Sequence, residues 1–240
     1  MITEDEFPPY DRVLLSKVVS VNLMHKKVTL STGEIKPYSK LVLAMGGKPK
    51  KPSCPGGDLK NVFTLRSPSD AAAIVHACAG KRLVCVGGSF IAMELASALA
   101  DTAGSVTVVC DTDEPLPFTG PDKFEENGVH VLVKSSAEKY EGIDVVTGVT
   151  TSKGETIPAD VVVAGIGIYP PTEWLKGSGI ETDEKGFIKV DEHFRTSADF
   201  VYAMGDVCTA PVPIWGIDSI NIQHFQVAQA HGNMPIIYTQ

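Results

Sequence analysis

Apolar residues in this chain fall into short continuous runs bounded by turn-forming residues, the pattern of strands covered on both faces. Residues 83–86 form one such run, a helical stretch follows over 90–100, and residues 106–110 form a second run. Two buried strands joined by a helix within fewer than thirty residues predict a βαβ unit, and handedness makes its strands parallel. Similar runs occupy 160–164, ended by Gly165-Ile166-Gly167, and 40–44, ended by Met45-Gly46-Gly47. A fifth spans 200–203 and leads into Met204-Gly205-Asp206. Elsewhere the chain alternates: residues 17–23 and 27–31 around a polar turn, and 145–151 and 155–158 around Ser152-Lys153-Gly154, predict two hairpins. Residues 129–133 read as another strand. The Ala-rich stretch 68–79 behind Ser67 predicts a capped helix, and 224–232 a second. Residues 48–57, rich in Pro, Lys and Gly, are expected to be loop, and the prolines of 114–121 interrupt regular structure. The expectation is an α/β protein.

Composition narrows the function classes. The 240 residues suit two modest domains at about 100–200 residues each. A net charge of −8 repels nucleic acid and anionic lipid, so neither is an expected partner. No apolar run approaches the roughly 20 residues of a membrane span. The acidic start, Met1-Ile-Thr-Glu-Asp-Glu, has neither the apolar core of a secretory signal nor the arginines of a transit peptide, and an intracellular compartment, cytoplasmic or mitochondrial, is expected. The five cysteines lack CxxC spacing, which argues against a redox-active disulfide or a zinc site and for buried thiols.

The βαβ unit carries the chemistry. Gly87, Gly88, Ser89, Phe90, Ile91, Ala92 and Glu94 stand between the first buried strand and the helix, where a pyrophosphate needs a tight turn, close backbone approach and the positive end of a helix. Gly87 keeps the turn. Ser89 takes the place of a second glycine, where its Cβ is expected to crowd the pyrophosphate, and Ala92 replaces a third. Asp111 closes the next strand, placed to accept ribose hydroxyls, and with Asp113 and Glu114 it disfavours a 2′-phosphate. NADH is therefore expected over NADPH. An unliganded βα turn would produce the same local pattern, and that alternative stays open. Two further strand ends, at Gly46 and at Gly205-Asp206, suit a polyol or sugar, the second through its carboxylate.

Taken in order, Pro8 to Arg12, Leu15-Ser16-Lys17, Tyr38 to Gly46, Thr64-Leu65-Arg66, Gly87 to Glu94, Gly165-Ile166-Gly167, Phe200 to Asp206 and Asn221 to Gln226 resemble the two-dinucleotide-binding flavoprotein reductases. The likeness is to the apoptosis-inducing-factor and ferredoxin-reductase branch, especially its Rieske-containing members. It implies bound FAD and NAD(H), hydride passing from nicotinamide to flavin N5, and electrons leaving to a ferredoxin, Rieske-type or other acceptor. By position it implies Arg12, Ala44, Gly46, Arg66, Gly205, Asp206, His224 and Phe225 around FAD, with Lys17 near the flavin N5. It further implies Gly87, Gly88, Ser89, Phe90, Ile91, Glu94, Asp111, Gly165 and Gly167 around NAD(H), with Lys17 and Glu94 as the catalytic pair. Read as residues alone, Arg12 and Lys17 serve equally as surface charges and Phe90 as core.

The resemblance also predicts an arrangement: residues 1–67 as part of an FAD domain, 68–181 as a Rossmann-like NAD domain, and 182–240 as the remainder of the FAD domain. Family members begin with a further strand and GxGxxG that precede Met1 of this chain, and the stretches at 17–18 and 117–127 look short. The FAD domain is accordingly expected to be incomplete. Two readings follow: an FAD-dependent NADH oxidoreductase, or a truncated NAD(H)-binding form that acts as a binding or regulatory module.

Overall fold

The computed structural model describes residues 13–115 and 122–233. The chain divides into two compact units, residues 47–169 and residues 1–46 with 170–240.

The first unit opens with β1 (Val18–Asn22), β2 (Lys27–Leu30), β3 (Ile35–Pro37) and β4 (Leu41–Leu43). The chain then enters the other unit through β5 (Lys48–Pro49), β6 (Val62–Phe63) and α1 (Pro68–Cys78), and builds its centre from β7 (Arg82–Val86), α2 (Phe90–Leu99) and β8 (Ser105–Val109). A single helical turn, α3 (Asp122–Glu125), precedes β9 (Val129–Leu132), the antiparallel strands β10 (Ala137–Gly142), β11 (Val146–Thr151) and β12 (Thr156–Pro158), then β13 (Val161–Ala164) and β14 (Ile168–Tyr169). Back in the first unit lie β15 (Ile188–Lys189), β16 (Val201–Ala203), β17 (Cys208–Val212), β18 (Ile217–Ile220) and α4 (Phe225–Gly232).

Unit 47–169 is built on a five-stranded sheet in the order β6-β13-β7-β8-β9, parallel throughout. Its apolar runs are continuous because both faces are covered. Leu83, Cys85, Val106, Val108, Val161 and Val163 point to the side of α1 and α2, where Ile74, Met93 and Ala96 are fully buried. The alternate residues Val84, Val86, Val109 and Val162 pack instead against Tyr140, Val149 and Ile157 of the β10–β12 sheet. From β7 the chain winds outward through β8 and β9, then returns by way of β10–β12 to place β13 on the other side of β7. The strand order thus reverses between β7 and β13, the position where open α/β sheets bind ligands at their carboxyl ends. Below that point Arg82 and Asp160 tie the starts of the same two strands, through Nε to Oδ2 at 2.9 Å and Nη2 to Oδ1 at 2.7 Å.

Helix α1 begins with the expected Ser67 cap, completed by Asp70: its backbone N–H donates to Ser67 Oγ, and its carboxylate accepts the Ser67 N–H at 2.8 Å. Both predicted hairpins form, β1 with β2 and β11 with β12. Several expectations change. The 48–57 segment is not all loop, since Lys48 and Pro49 pair with β14. The last third holds β15, β17 and β18 besides the expected strand. The units change over at Gly46–Gly47 and Tyr169–Pro170, where the sequence reading has 67–68 and 181–182, because β6 joins the sheet through β13.

In the other unit, among the described residues, β1–β3 form an antiparallel sheet, β15, β17 and β18 a second, mixed one, and β4 pairs in parallel with β16. The run at 40–44 is parallel as expected, but only Leu43 is buried, and Val42 is 44% exposed. Leu43, Ile188, Val201, Ala203 and Val207 gather into its main core. Among the described residues no helix is long and apolar enough to cross a membrane.

Candidate functional site

A cavity of about 510 Å³ opens at the carboxyl ends of β7, β8 and β13. Its floor is stitched across the strands: the Gly87 N–H donates to the Val109 carbonyl at 2.8 Å, and the Gly165 N–H donates to the Val86 carbonyl at 2.8 Å. Three glycines are needed here for separate steric reasons. Gly87 has φ +115°, and a Cβ there would stand 2.3 Å from the Gly165 carbonyl oxygen. A Cβ on Gly165 would stand 2.8 Å from Ala92 Cβ, so this glycine lets α2 approach the sheet. One on Gly88 would press on Cys110 Cβ at 3.2 Å.

Ser89 is the N-cap of α2. Its hydroxyl donates to the Gly165 carbonyl at 2.9 Å and accepts the Ala92 N–H at 3.4 Å. The side chain expected to crowd a pyrophosphate therefore joins the helix start to the end of β13, while still lining the cavity beside the positive end of α2. Asp111 and Glu114 form an acidic rim, with the Thr112 hydroxyl donating to the Glu114 carbonyl at 2.8 Å.

Part of the wall has no motif behind it. Ser135, Ser136, Ala137 and Tyr140 arrive from the β9–β10 connection and β10, and Pro52, Ser53 and Cys54 from the loop after β5. Tyr140 and Cys54 share a side-chain hydrogen bond, and burial pushes both groups above their ordinary titration range. The polar stretch Ala137-Glu-Lys-Tyr-Glu-Gly142 has no apolar run to announce it; Tyr140, 2% exposed among charged neighbours, is its one signal.

The other unit presents a second arrangement at the end of β16. Gly205 adopts φ +73°, and a Cβ there would lie 3.4 Å from Ala228 Cβ of α4. Its N–H donates to His231 Nδ1 at 3.2 Å. The Asp206 carbonyl accepts from Asn221 Nδ2 at 3.0 Å, whereas Asp206 Oδ1 is buried with no partner among the described residues. His224 caps α4, its Nδ1 accepting the Gln226 N–H at 3.2 Å, and its ring lies 4.9 Å from that of Phe225, which is 68% exposed.

Comparison with known proteins decides the family. Residues 9–232 match the pyridine nucleotide-disulphide oxidoreductases. The chain belongs to that family. Human apoptosis-inducing factor 3 is 36% identical over 228 residues, which cover 91% of this chain and 38% of the human protein. The seedling isozyme of monodehydroascorbate reductase from Cucumis sativus is 33% identical over 225 residues, covering 85% of this chain and 50% of that one. Among solved structures, the ferredoxin reductase of the CYP199A2 system from Rhodopseudomonas palustris superposes with a TM-score of 0.81 at 26% identity, over 91% of this chain and 56% of that one. The chain therefore spans about half the length of these relatives or less.

The fold of this pyridine nucleotide-disulphide oxidoreductase is the two-dinucleotide-binding flavoprotein fold that the sequence implied, matched over part of its length. Of the residues assigned to NAD(H), Gly87, Gly88, Ser89, Asp111, Gly165 and Gly167 come together around the cavity. Phe90, 49% exposed, Ile91, 38% exposed, and Glu94 lie on the outer side of α2 and do not line it. Of those assigned to FAD, Gly205 and Asp206 follow β16 and Gly205 meets α4 at Ala228 and His231, while His224 and Phe225 begin that helix. Ala44 and Gly46, with φ +62° at Gly46, follow β4, the strand paired with β16. Lys17 is an exposed residue preceding β1. Arg66 precedes the α1 cap in the other unit, its N–H donating to Asp70 at 3.1 Å. Arg12 lies outside the described residues. The unpartnered Asp206 Oδ1 fits a hydroxyl-bearing group such as a flavin ribityl chain, because a buried carboxylate oxygen is an acceptor that needs a donor.

Proposed function

We propose that the chain binds NADH in the cavity at the ends of β7, β8 and β13 and acts within an FAD-dependent reductase that passes electrons to an iron-sulfur acceptor of the ferredoxin or Rieske type. The observation that carries this reading is the cavity itself: a glycine-lined opening at the point where strand order reverses, beside a capped helix start and beneath an acidic rim. Gly87 and Gly165 bring backbone close to a pyrophosphate. Asp111 accepts ribose hydroxyls, and with Glu114 it repels the extra phosphate of NADPH. Tyr140 and the 52–54 loop close the far wall against water. Asp206 and Gly205 hold FAD by its polyol chain, with His224 and Phe225 beside the ring system and Lys17 as the candidate catalytic group of that unit. FAD, when bound, supplies a two-electron acceptor able to release its electrons singly.

A second reading, an NAD(H)-binding module without turnover, is favoured by one contrast. Unit 47–169 covers both faces of its parallel sheet, whereas among the described residues β4 and β16 pair as two strands.

Calorimetry with NADH and NADPH tests the shared core of both readings. NADH is expected to bind at least about tenfold tighter, a difference of about 1.4 kcal/mol, and Asp111→Ser to narrow that gap. No heat with either nucleotide would overturn it. A flavin absorption band bleached by NADH selects the reductase. A colourless protein that binds NADH after incubation with FAD selects the module.

A further inference from the structure

We propose that His231 is a positioning residue that holds the Gly205–Asp206 turn in its ligand-accepting form only while its imidazole is neutral, so that the turn lets go of its ligand as His231 takes up a proton. Only the ligand half rests on the flavin reading above. The coupling itself is a property of this chain.

The geometry is that of a clamp. Gly205 takes a left-handed conformation that turns its N–H toward α4, where His231 Nδ1 accepts it at 3.2 Å. Ala228, one helical turn earlier on the same face, packs 3.4 Å from the position a Gly205 Cβ would take, so α4 meets the turn at two adjacent points. The His231 ring is fixed from another side by Phe194, at 4.4 Å between centroids. The next residue along the turn, Asp206, carries the buried and unpartnered Oδ1.

A ring nitrogen that accepts a hydrogen bond must be unprotonated, which assigns the proton of neutral His231 to Nε2. In the imidazolium both nitrogens are donors. The Gly205 N–H would then face an N–H, and a positive charge would stand near the Asp206 carboxylate. Both changes act in one direction: the turn loses its anchor, and the acceptor meant for a ligand hydroxyl is drawn toward the histidine.

The surroundings favour the neutral state. Burial pushes His231 below its ordinary value, and the negative charge of Asp206 opposes this less strongly. Asp191 and Arg195, which flank the Phe194 segment, are bound to each other at 2.7 Å and cancel. The Cys208 thiol near Asp206 is pushed up to about 12 by burial and carries no charge at neutral pH. His224 begins the same helix, about 10 Å away along its axis. The clamp is therefore closed at neutral pH and opens as the pH falls through the lowered pKa of His231.

The test follows the Gly205 amide and the His231 ring by NMR in the full chain between pH 5 and 8. The amide shift and its exchange protection are expected to change with one inflection, at the pH where the ring itself titrates. His231→Asn, whose side-chain oxygen takes the place of Nδ1 and does not titrate, is expected to keep the Gly205 protection and remove the inflection. A Gly205 amide indifferent to the ring's titration overturns the proposal, and this comparison needs only the unsubstituted chain. An inflection that persists in His231→Asn also overturns it. FAD fluorescence titrations on the same samples supply the ligand arm, with the dissociation constant rising up to about tenfold per pH unit below the ring's pKa in the wild type and flat in His231→Asn. Absence of FAD uptake at every pH overturns the cofactor assignment and the ligand arm, while the amide measurement still decides the coupling.

Discussion

The crowding around Gly87 in the cavity predicts how two glycines of similar torsion differ. Gly87 and Gly167 both have positive φ, +115° and +94°. Alanine at either one is confined to a region that costs an L-residue about 1–2 kcal/mol. Their surroundings differ. A Cβ on Gly87 would stand 2.3 Å from the Gly165 carbonyl oxygen, whereas one on Gly167 meets nothing nearer than the flexible end of Lys50 at 4.0 Å. Neither side of the first contact can yield, because the Gly87 and Gly165 N–H groups are both hydrogen-bonded to neighbouring strands. Gly87→Ala should therefore incur a further packing cost of about 1–3 kcal/mol, for a total of about 2–5. With a urea slope of about 2 kcal/mol per molar, its midpoint should fall by roughly 1–2.5 M, and that of Gly167→Ala by no more than about 1 M. Far-UV circular dichroism is the assay, since both tryptophans, Trp174 and Trp215, belong to the other unit. A Gly167→Ala variant as unstable as Gly87→Ala would refute the steric argument.

Two further outcomes are expected. Cys78, Cys85, Cys110 and Cys208 are buried, with burial pushing Cys78 to about 11 and Cys85 to about 12, whereas half-buried Cys54 lines the cavity. A native thiol titration should therefore find one accessible thiol, slowed by NADH; several fast thiols, or one indifferent to NADH, would contradict this. The Arg82 side chain holds the Asp160 carboxyl well below its ordinary value, so its stabilisation is complete above about pH 4 and is lost as pH falls further. The advantage of wild type over Asp160→Asn in urea should accordingly shrink between pH 5 and pH 2, and an advantage constant across that range would remove the ion pair from the account.

What could be read in the chain was whatever depends on neighbours in sequence. The βαβ unit, the Ser67 cap and the two hairpins follow from local patterning and turn chemistry, and the Gly87–Ser89 and Gly165–Gly167 segments from the demands of a strand end. Strands of two or three residues such as β6 and β15 are defined by their partners and not by composition, so they left no local trace. The compact units change over at other positions than the sequence reading for the same cause: residues 62–63 pair with a strand a hundred positions later. In the cavity, the glycines and Asp111 were legible. Tyr140, Ser135 and the 52–54 loop were not, because only the return path through β10–β12 brings them there.

That return path has a consequence during synthesis. Val162 pairs with both Val62 and Val84, so β13 fills a slot whose two walls leave the ribosome well before it does. At about 5–20 residues per second, a lag of a hundred residues leaves β6 waiting for roughly 5–20 s, and the facing edge of β7 for somewhat less. Through that interval the nascent chain exposes an open, apolar strand edge to every other polypeptide nearby. The cavity, whose floor needs Gly165, can exist only after the wait ends.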